Sequence, residues 1–203
     1  ESKVLDRAHY RLGEYCYASG DYKAAALEYR QVIDGWAQSP LAPHAMHELG
    51  CTQLSQRDAL GAERTLGELL EKYGQHAVAP RARYARALAR HQLQKFAPAM
   101  EDLQAMLAAV PPGREKSDAR YLLGLCQVGL KQHAAAAATF HALLQEDPKY
   151  VGADNARYQL AWALKLSGKE AEAAKAFAQF VADDQSSSLV VEAQNQIGEL
   201  AYQ

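Results

Sequence analysis

Two histidines are the side chains of this sequence best suited to holding a metal ion. His44 and His47 stand three residues apart, so they would share one face of a helix. Two imidazoles are too few for zinc, which is usually bound by three or four ligands. Cys16, Cys51 and Cys126 form an odd set without CxxC spacing, which is typical of small buried side chains rather than of a zinc site or disulfide framework. We therefore predict no metal site.

One segment comes close to a catalytic motif. His47-Glu48-Leu49-Gly50-Cys51 matches the HExxH pattern of zinc proteases except that Cys51 replaces the second histidine, which the metal requires. The sequence contains no GxSxG nucleophile motif, phosphate-binding glycine loop or dinucleotide-binding fingerprint. The carboxylate pairs Glu101-Asp102 and Asp183-Asp184 are predicted to lie at solvated helix surfaces or ends. The sequence thus predicts no catalytic residue, no cofactor and a protein that is not an enzyme.

Charge and hydropathy exclude two further classes of partner. The 203 residues carry 22 basic and 24 acidic side chains, well mixed, so no basic stripe favours nucleic acid. No apolar stretch approaches the roughly 18 residues of a membrane span. Because the chain begins at Glu1 rather than Met, we expect that its true N-terminus has been removed.

The dominant feature is an internal repeat of 37 residues. One column is alanine in all six copies: Ala8, Ala45, Ala82, Ala119, Ala156 and Ala193. The column four residues later is leucine or isoleucine apart from one arginine: Leu12, Leu49, Arg86, Leu123, Leu160 and Ile197. The next column is always small: Gly13, Gly50, Ala87, Gly124, Ala161 and Gly198. A second alanine column follows at Ala25, Ala62, Ala99, Ala136 and Ala173. Four residues on, the column is large and apolar: Tyr29, Leu66, Leu103, Phe140 and Phe177.

These spacings of four and three are those of helical faces, so each repeat contains an A helix and a B helix joined by a turn. Gly20 can end the first A helix in the left-handed conformation, and Asp21 can cap the B helix that follows. Ser186-Ser187-Ser188 is expected to cap the last helix. We predict an all-α protein with helices at about 2–19, 22–36, 41–56, 59–73, 77–93, 96–109, 115–130, 133–145, 150–167, 170–183 and 187–202.

The repeat resembles the tetratricopeptide repeat family, whose 34-residue unit carries Leu-Gly, Ala, an aromatic residue and Pro at set offsets. Leu123-Gly124, Ala136, Phe140 and Pro148 match all four. The resemblance implies a right-handed superhelical solenoid of about five helix pairs plus a final helix. We expect one array over 1–203, with repeats at about 6–42, 43–79, 80–116, 117–153 and 154–190 and the final helix at 191–203. The longer unit resembles that of bacterial cell-envelope members, the Tol-Pal coordinators and outer-membrane assembly lipoproteins.

In this family the A helices line a concave groove, which implies where a partner would bind. The face opposite the packed one carries a column of tyrosines, with apolar side chains beside it in the middle and later repeats. The predicted groove residues are Arg7, Tyr10, His47, Arg81, Tyr84, Leu88, Tyr121, Leu125, Tyr158 and Trp162. In the final helix, Tyr202 would share this face. The alternative for the tyrosines is structural packing against the neighbouring A helix, which the sequence leaves open.

Three functions are compatible with these features. We predict a scaffold that binds a protein or peptide segment with apolar anchors. The alternatives are a structural module that self-associates end to end into a homo-oligomer, and a regulatory segment of a longer protein. The sequence leaves the location unknown, and the envelope resemblance favours the periplasm over the cytoplasm.

Overall fold

A computed structural model describes residues 2–185 and 187–201, with side chains from Val4 onward. In this part of the chain all regular structure is α-helical, in eleven helices. They are α1 Ser2–Ala18, α2 Tyr22–Gly35, α3 Ala42–Ser55, α4 Ala59–Tyr73, α5 Ala79–Gln92, α6 Phe96–Ala109, α7 Arg114–Gly129, α8 His133–Glu146, α9 Ala153–Leu166, α10 Glu170–Asp183 and α11 Val190–Ala201. The predicted all-α class, with five helix pairs and a final helix, is confirmed.

The odd-numbered helices are the A helices and the even-numbered ones the B helices of the predicted repeats. Asp21 Oδ1 accepts a hydrogen bond of 3.0 Å from the Ala24 N–H, which confirms the predicted cap of α2. Pro43 and Pro80 stand in the first turns of α3 and α5, where a missing N–H costs little. The predicted cap residue Ser186 and the predicted groove residue Tyr202 lie outside the described residues.

Every turn from an A helix to its B helix places one residue in the left-handed conformation. Gly20 and Gly168 have φ of 83° and 80°, as their residue type predicts. The same turn position in the three repeats between them holds Arg57, Gln94 and Lys131, with φ between 57° and 62°. Non-glycine residues adopt this conformation at an energetic cost. The helix pairing therefore imposes the turn geometry even where the local sequence does not favour it.

In three helix pairs a glycine of the A helix lies directly against a large side chain of the B helix. A Cβ added to Gly13 would lie 2.7 Å from Tyr29 Cε1, and one added to Gly124 would lie 2.5 Å from Phe140 Cε1. Gly50 stands in the same relation to Leu66, at 2.6 Å. The small column of the sequence is thus required by the ring or branched side chain sixteen residues later.

Within each unit, B helices also pack against the A helix of the next repeat. Tyr29 and Val32 of α2 form one core cluster with Ala45 and Leu49 of α3. In unit 2, Phe177 and Phe180 of α10 pack with Ala193 of α11. These large apolar side chains are therefore shared between their own repeat and the following one, as expected for stacked repeats that cannot bury their apolar faces alone.

The chain forms two compact units, Glu1–Ala109 and Val110–Gln203. Unit 1 contains α1 to α6, which are three helix pairs. Unit 2 contains α7 to α11, which are two pairs and the final helix. A single uninterrupted array over 1–203 stays a prediction.

The one arginine in the leucine column belongs to a buried ion-pair network in unit 1. Arg86 of α5 binds Asp102 of α6 through two hydrogen bonds, Nε to Oδ2 at 2.9 Å and Nη2 to Oδ1 at 2.6 Å. Arg90 Nη1 also donates to Asp102 Oδ2, at 2.9 Å, and Arg90 Nε donates to Glu63 Oε1 of α4. The prediction that Asp102 lies on a solvated surface is wrong: its side chain is 3% exposed because two guanidinium groups cover it.

Gly124→Ala is expected to lower the free energy of unfolding by about 1–3 kcal/mol, because the new methyl group overlaps the Phe140 ring. Gly198→Ala is the matched control in the same unit, since a Cβ there meets no atom within 4 Å. It should stabilise the protein by up to about 1 kcal/mol through helix propensity. Urea denaturation followed by far-UV circular dichroism measures both. Equal stability of the two variants would contradict the proposed close approach.

Asp102→Thr should lower the free energy of unfolding by about 3–5 kcal/mol, because it leaves the buried Arg86 guanidinium without its carboxylate. Adding Arg86→Leu recreates the Leu123 and Thr139 pair found at these positions one repeat later. The double variant should therefore return to within about 1 kcal/mol of wild type, since an apolar replacement of a buried ion pair is often neutral. Denaturation of the single and double variants tests this, and a double variant no better than Asp102→Thr would contradict it.

Candidate partner-binding face

All ten predicted groove residues lie on A helices. We call the six in unit 1 and the four in unit 2 the A-helix face of each unit. Within each unit, side-chain hydrogen bonds also link two neighbouring A helices. The Tyr17 hydroxyl of α1 lies 3.0 Å from Ser55 Oγ of α3. Lys165 Nζ of α9 donates to Glu199 Oε2 of α11 at 2.9 Å, and also to Gln196.

In unit 1 the face combines exposed cations with half-buried aromatic and apolar side chains. Arg7 and Arg81 are exposed, whereas Tyr84 and Leu88 are half-buried. Tyr10 is half-buried too, and its ring packs edge-on against Tyr29, with centroids 5.8 Å apart. Burial, assisted by nearby carboxylates, raises the pKa of Tyr10 to about 12. Its hydroxyl therefore stays protonated at physiological pH and remains able to donate a hydrogen bond.

His47 is the most constrained residue of the unit 1 face. Its Nδ1 lies 3.0 Å from Glu48 Oε1, and its Nε2 lies 3.7 Å from Cys51 Sγ. Burial lowers the pKa of His47, but the hydrogen bonds to Cys51 and Glu48 outweigh burial and raise it to about 10. The neighbouring His44 instead packs edge-on against His76, and burial lowers its pKa. His47 therefore adds a positive charge to this face at neutral pH.

In unit 2 the face is mainly aromatic and apolar. Tyr121 packs against Phe140 and Tyr150, with centroids 5.8 and 6.1 Å away, and remains half-buried. Leu125, one turn later on α7, is also half-buried and borders the same core cluster. Both side chains thus have one side in the core and part of their surface accessible, which suits residues that stabilise the fold and also contact a ligand.

The sequence left open whether the aromatic side chains of the A helices pack in the core or contact a ligand. Tyr158 is suited to packing and Trp162 to ligand contact. Tyr158 is only 7% exposed and packs against Phe177 and Phe180, so its main contribution is to the core. Trp162 is half-buried, and its ring meets Phe177 almost perpendicularly, at 88°. Lys165 Nζ lies 5.3 Å from the Trp162 ring centroid, within cation–π range. Trp162 therefore offers the larger accessible aromatic surface on α9.

Two features of these surfaces were not predicted from the sequence. Lys165 links α9 to α11 and lies beside Trp162; the sequence placed it on the predicted groove face of this helix but indicated neither of these contacts. A cavity of about 420 Å³ lies between α8, α9 and α10, lined by small and apolar side chains that include Ala134, Ala138 and Leu164. The alanine run of α8 was the only sequence signal for it, and that run predicted helix formation rather than a cavity.

Metal-ligating groups and membrane-spanning helices were searched for among the described residues only. No group of three or more potential metal-ligating side chains is found among the described residues. None of the helices described there has the length and apolar character needed to cross a membrane. Cys126 is buried, as predicted, whereas Cys16 and Cys51 are half-buried, contrary to the prediction.

Comparison with known sequences identifies the repeat. One tetratricopeptide repeat model matches residues 6–40 and 47–114, and a second matches residues 118–150 and 155–187. Together they reach into all five helix pairs. No curated protein sequence matches the chain.

Solved structures share the fold at low sequence identity. MamA from Desulfovibrio magneticus RS-1 is 17% identical, with 91% of this chain and 97% of that chain covered and a TM-score of 0.79. A tetratricopeptide repeat protein from Parabacteroides merdae is 18% identical, with coverages of 98% and 73% and a TM-score of 0.79. YrrB, described as a TPR protein with an unusual peptide-binding site, is 14% identical, with coverages of 92% and 90% and a TM-score of 0.76.

Proposed function

Because this chain belongs to the tetratricopeptide repeat family, we propose that it is a non-enzymatic scaffold that binds a segment of a partner protein along its A-helix face. The family is generally one of protein-interaction scaffolds. The bound segment would be extended or helical and would insert apolar anchors between the half-buried aromatic side chains. The cell-envelope resemblance, and a periplasmic location with it, stays a prediction.

The observation that supports this proposal is that partly accessible aromatic and apolar side chains recur at two equivalent positions of several A helices. Tyr10, Tyr84 and Tyr121 occupy one column and are half-buried, and Leu88, Leu125 and Trp162 occupy the column four residues later. Rigid aromatic side chains lose little entropy on binding and dominate the energetics of interfaces. Since their cores already fix these rings, the face is preorganised for a ligand.

The faces of the two units differ in the ligand chemistry that they would favour. On the unit 1 face, Arg7, Arg81 and the charged His47 supply positive charge, which would favour a segment carrying carboxylates. On the unit 2 face, Leu125 and Trp162 supply apolar contact area. We place the principal apolar anchor of the bound segment on the unit 2 face beside Trp162.

Trp162→Ala is expected to weaken binding at least about tenfold, as for a hot-spot aromatic residue. The ligands would be peptides selected from a random displayed library for binding to the purified full chain. Isothermal titration calorimetry of the best peptides then compares wild type with the variant. Val151→Ala is the matched control, since Val151 is an apolar residue of the same unit, 77% exposed, that lies outside the A-helix face.

Leu125→Gln provides a second variant in case Trp162→Ala loses its packing on Phe177. Circular dichroism of each variant must first show wild-type helix content. We expect Trp162→Ala and Leu125→Gln to weaken the same peptides and Val151→Ala to leave them unchanged. Peptides that bind all four proteins equally would place recognition elsewhere on the molecule and refute the proposed face.

Self-association is a second candidate, which one exposed surface favours. Leu5, Leu12 and Tyr15 of α1 are 50%, 46% and 71% exposed. The residues equivalent to Leu12 and Tyr15 in the second repeat, Leu49 and Thr52, are buried, and Leu49 belongs to the core cluster that α2 forms with α3. In α1 this face is therefore apolar and uncovered within the described chain, and a second copy could cover it.

If the α1 face joins two copies, Leu12→Lys with Tyr15→Ser should convert a concentration-dependent oligomer into a monomer. Analytical ultracentrifugation over a concentration series measures this, because burying an apolar face makes association depend on protomer concentration. Leu27→Lys is the control, as Leu27 is a similarly exposed leucine on α2. A wild-type chain that remains monomeric at every concentration would exclude self-association through this face.

A further inference from the structure

A cysteine, a histidine and a glutamate form a hydrogen-bonded chain on α3. Glu48 Oε1 lies 3.0 Å from His47 Nδ1, and His47 Nε2 lies 3.7 Å from Cys51 Sγ, within hydrogen-bond range for sulfur. The order is that of an activated nucleophile: a thiol, an imidazole hydrogen-bonded to it, and a third group that orients the imidazole. Because His47 and Cys51 are four residues apart, one helical turn holds the pair in place.

The surroundings of this chain favour its charged form. The His47 side chain is only 14% exposed, and hydrogen bonding keeps the imidazole protonated through neutral pH. Such an imidazolium stabilises an adjacent thiolate, which is the nucleophilic form of cysteine. Other titratable groups interact with this chain: Tyr10 of α1 with Glu48, and His44 with both His47 and Glu48. Glu14 in turn interacts with Tyr10, and His76 and Arg81 with His44.

We propose that Cys51 is a nucleophilic modification site that reacts with low-molecular-weight disulfides. Cys51 loses its proton to solvent, and its thiolate, stabilised by the adjacent His47 imidazolium, attacks one sulfur of the disulfide. The new bond joins Cys51 Sγ to that sulfur as the S–S bond of the reagent breaks, and the second half leaves as a thiolate. One thiol and one disulfide react to give one mixed disulfide and one thiol, so no external oxidant or reductant is consumed.

The other two cysteines provide internal controls for this assignment. Cys126 is fully buried, and burial raises the pKa of its thiol to about 11, so it should be inert. Cys16 is half-buried, as Cys51 is, but no hydrogen bond from its thiol to a base is found among the described residues. The rates of Cys51 and Cys16 therefore compare two partly buried thiols, of which Cys51 is hydrogen-bonded to His47.

The site also bears on the proposed function. Cys51 lies one turn after His47, on the A-helix face of unit 1. An adduct on Cys51 would occupy the space in which a bound segment would contact His47. If the proposed function holds, modification and partner binding in unit 1 exclude each other. The chemical proposal is independent of that function, because the rate of thiol modification is measured without any partner.

The test is reaction of the full wild-type chain with a limiting amount of dithiodipyridine at pH 7. This disulfide is uncharged at that pH, so the neighbouring arginines do not attract it. Acid quenching and peptide mass mapping then give the rate at each cysteine. We expect Cys51 to react about tenfold faster than Cys16, because an ordinary thiol is only a few per cent thiolate at this pH. Equal rates at Cys51 and Cys16 would overturn the proposal.

Variants separate activation from simple accessibility. His47→Gln should slow Cys51 about tenfold and leave Cys16 unchanged, because it removes the group that stabilises the thiolate. His44→Gln is the matched control, since it removes a histidine from the same helix that is not bonded to Cys51, and it should change the Cys51 rate less than about twofold. Glu48→Gln weakens the hydrogen bond that orients His47, and it replaces His47→Gln in the test if that variant loses helix content. A Cys51 rate that neither His47→Gln nor Glu48→Gln changes would show that accessibility alone determines its reactivity.

Discussion

The structure depends on one contact that recurs with the repeat: a small residue of an A helix against a large apolar side chain of its B helix. The space that Tyr29 and Phe140 occupy is the space that a Cβ at Gly13 and Gly124 would need. This contact fixes how closely the two helices approach. Tyr29 also packs with Ala45 and Leu49 of the next A helix, so within unit 1 this position contributes to both the pair and the stack.

The A-helix face follows from this packing. Since one side of each A helix is buried against B helices, we propose that the opposite side bears the ligand-binding residues. The aromatic residues there are held by the core, as the contacts of Tyr10 with Tyr29 and of Tyr121 with Phe140 illustrate. The structural and binding alternatives for the tyrosine column are therefore compatible for these two residues. For Tyr158, whose surface is almost wholly buried, packing is the main role.

The third repeat carries a charged residue in the column that is leucine or isoleucine in the other copies. Arg86 replaces the leucine of the other copies, and Asp102 on the partner helix balances its charge. Arg90 contacts the same carboxylate and extends the network to Glu63 of α4. A charged group in a packed position is acceptable only when its hydrogen-bonding groups are paired, and here two arginines and one aspartate satisfy each other.

The amino-acid sequence by itself determined the helices, their pairing and the residues of the A-helix face, because a fixed period of 37 residues places equivalent side chains in equivalent environments. Even the left-handed turns could be located from Gly20 and Gly168, although Arg57, Gln94 and Lys131 adopt them without any local signal. The positions of these three turns are therefore predicted by the repeat period and not by the residue type found there.

Only the tertiary structure decided which side chains meet across helices and how deeply each is buried. Asp102 was expected to be solvated, since neither its type nor its spacing indicates that α5 brings two arginines to it. The sequence spacing of His47 and Cys51 suggested only an incomplete metal motif, whereas side-chain geometry showed a hydrogen-bonded pair. Burial and ion pairing depend on the distances between helices and on the rotamers of their side chains. A repeat period in the sequence specifies neither the distances nor the rotamers.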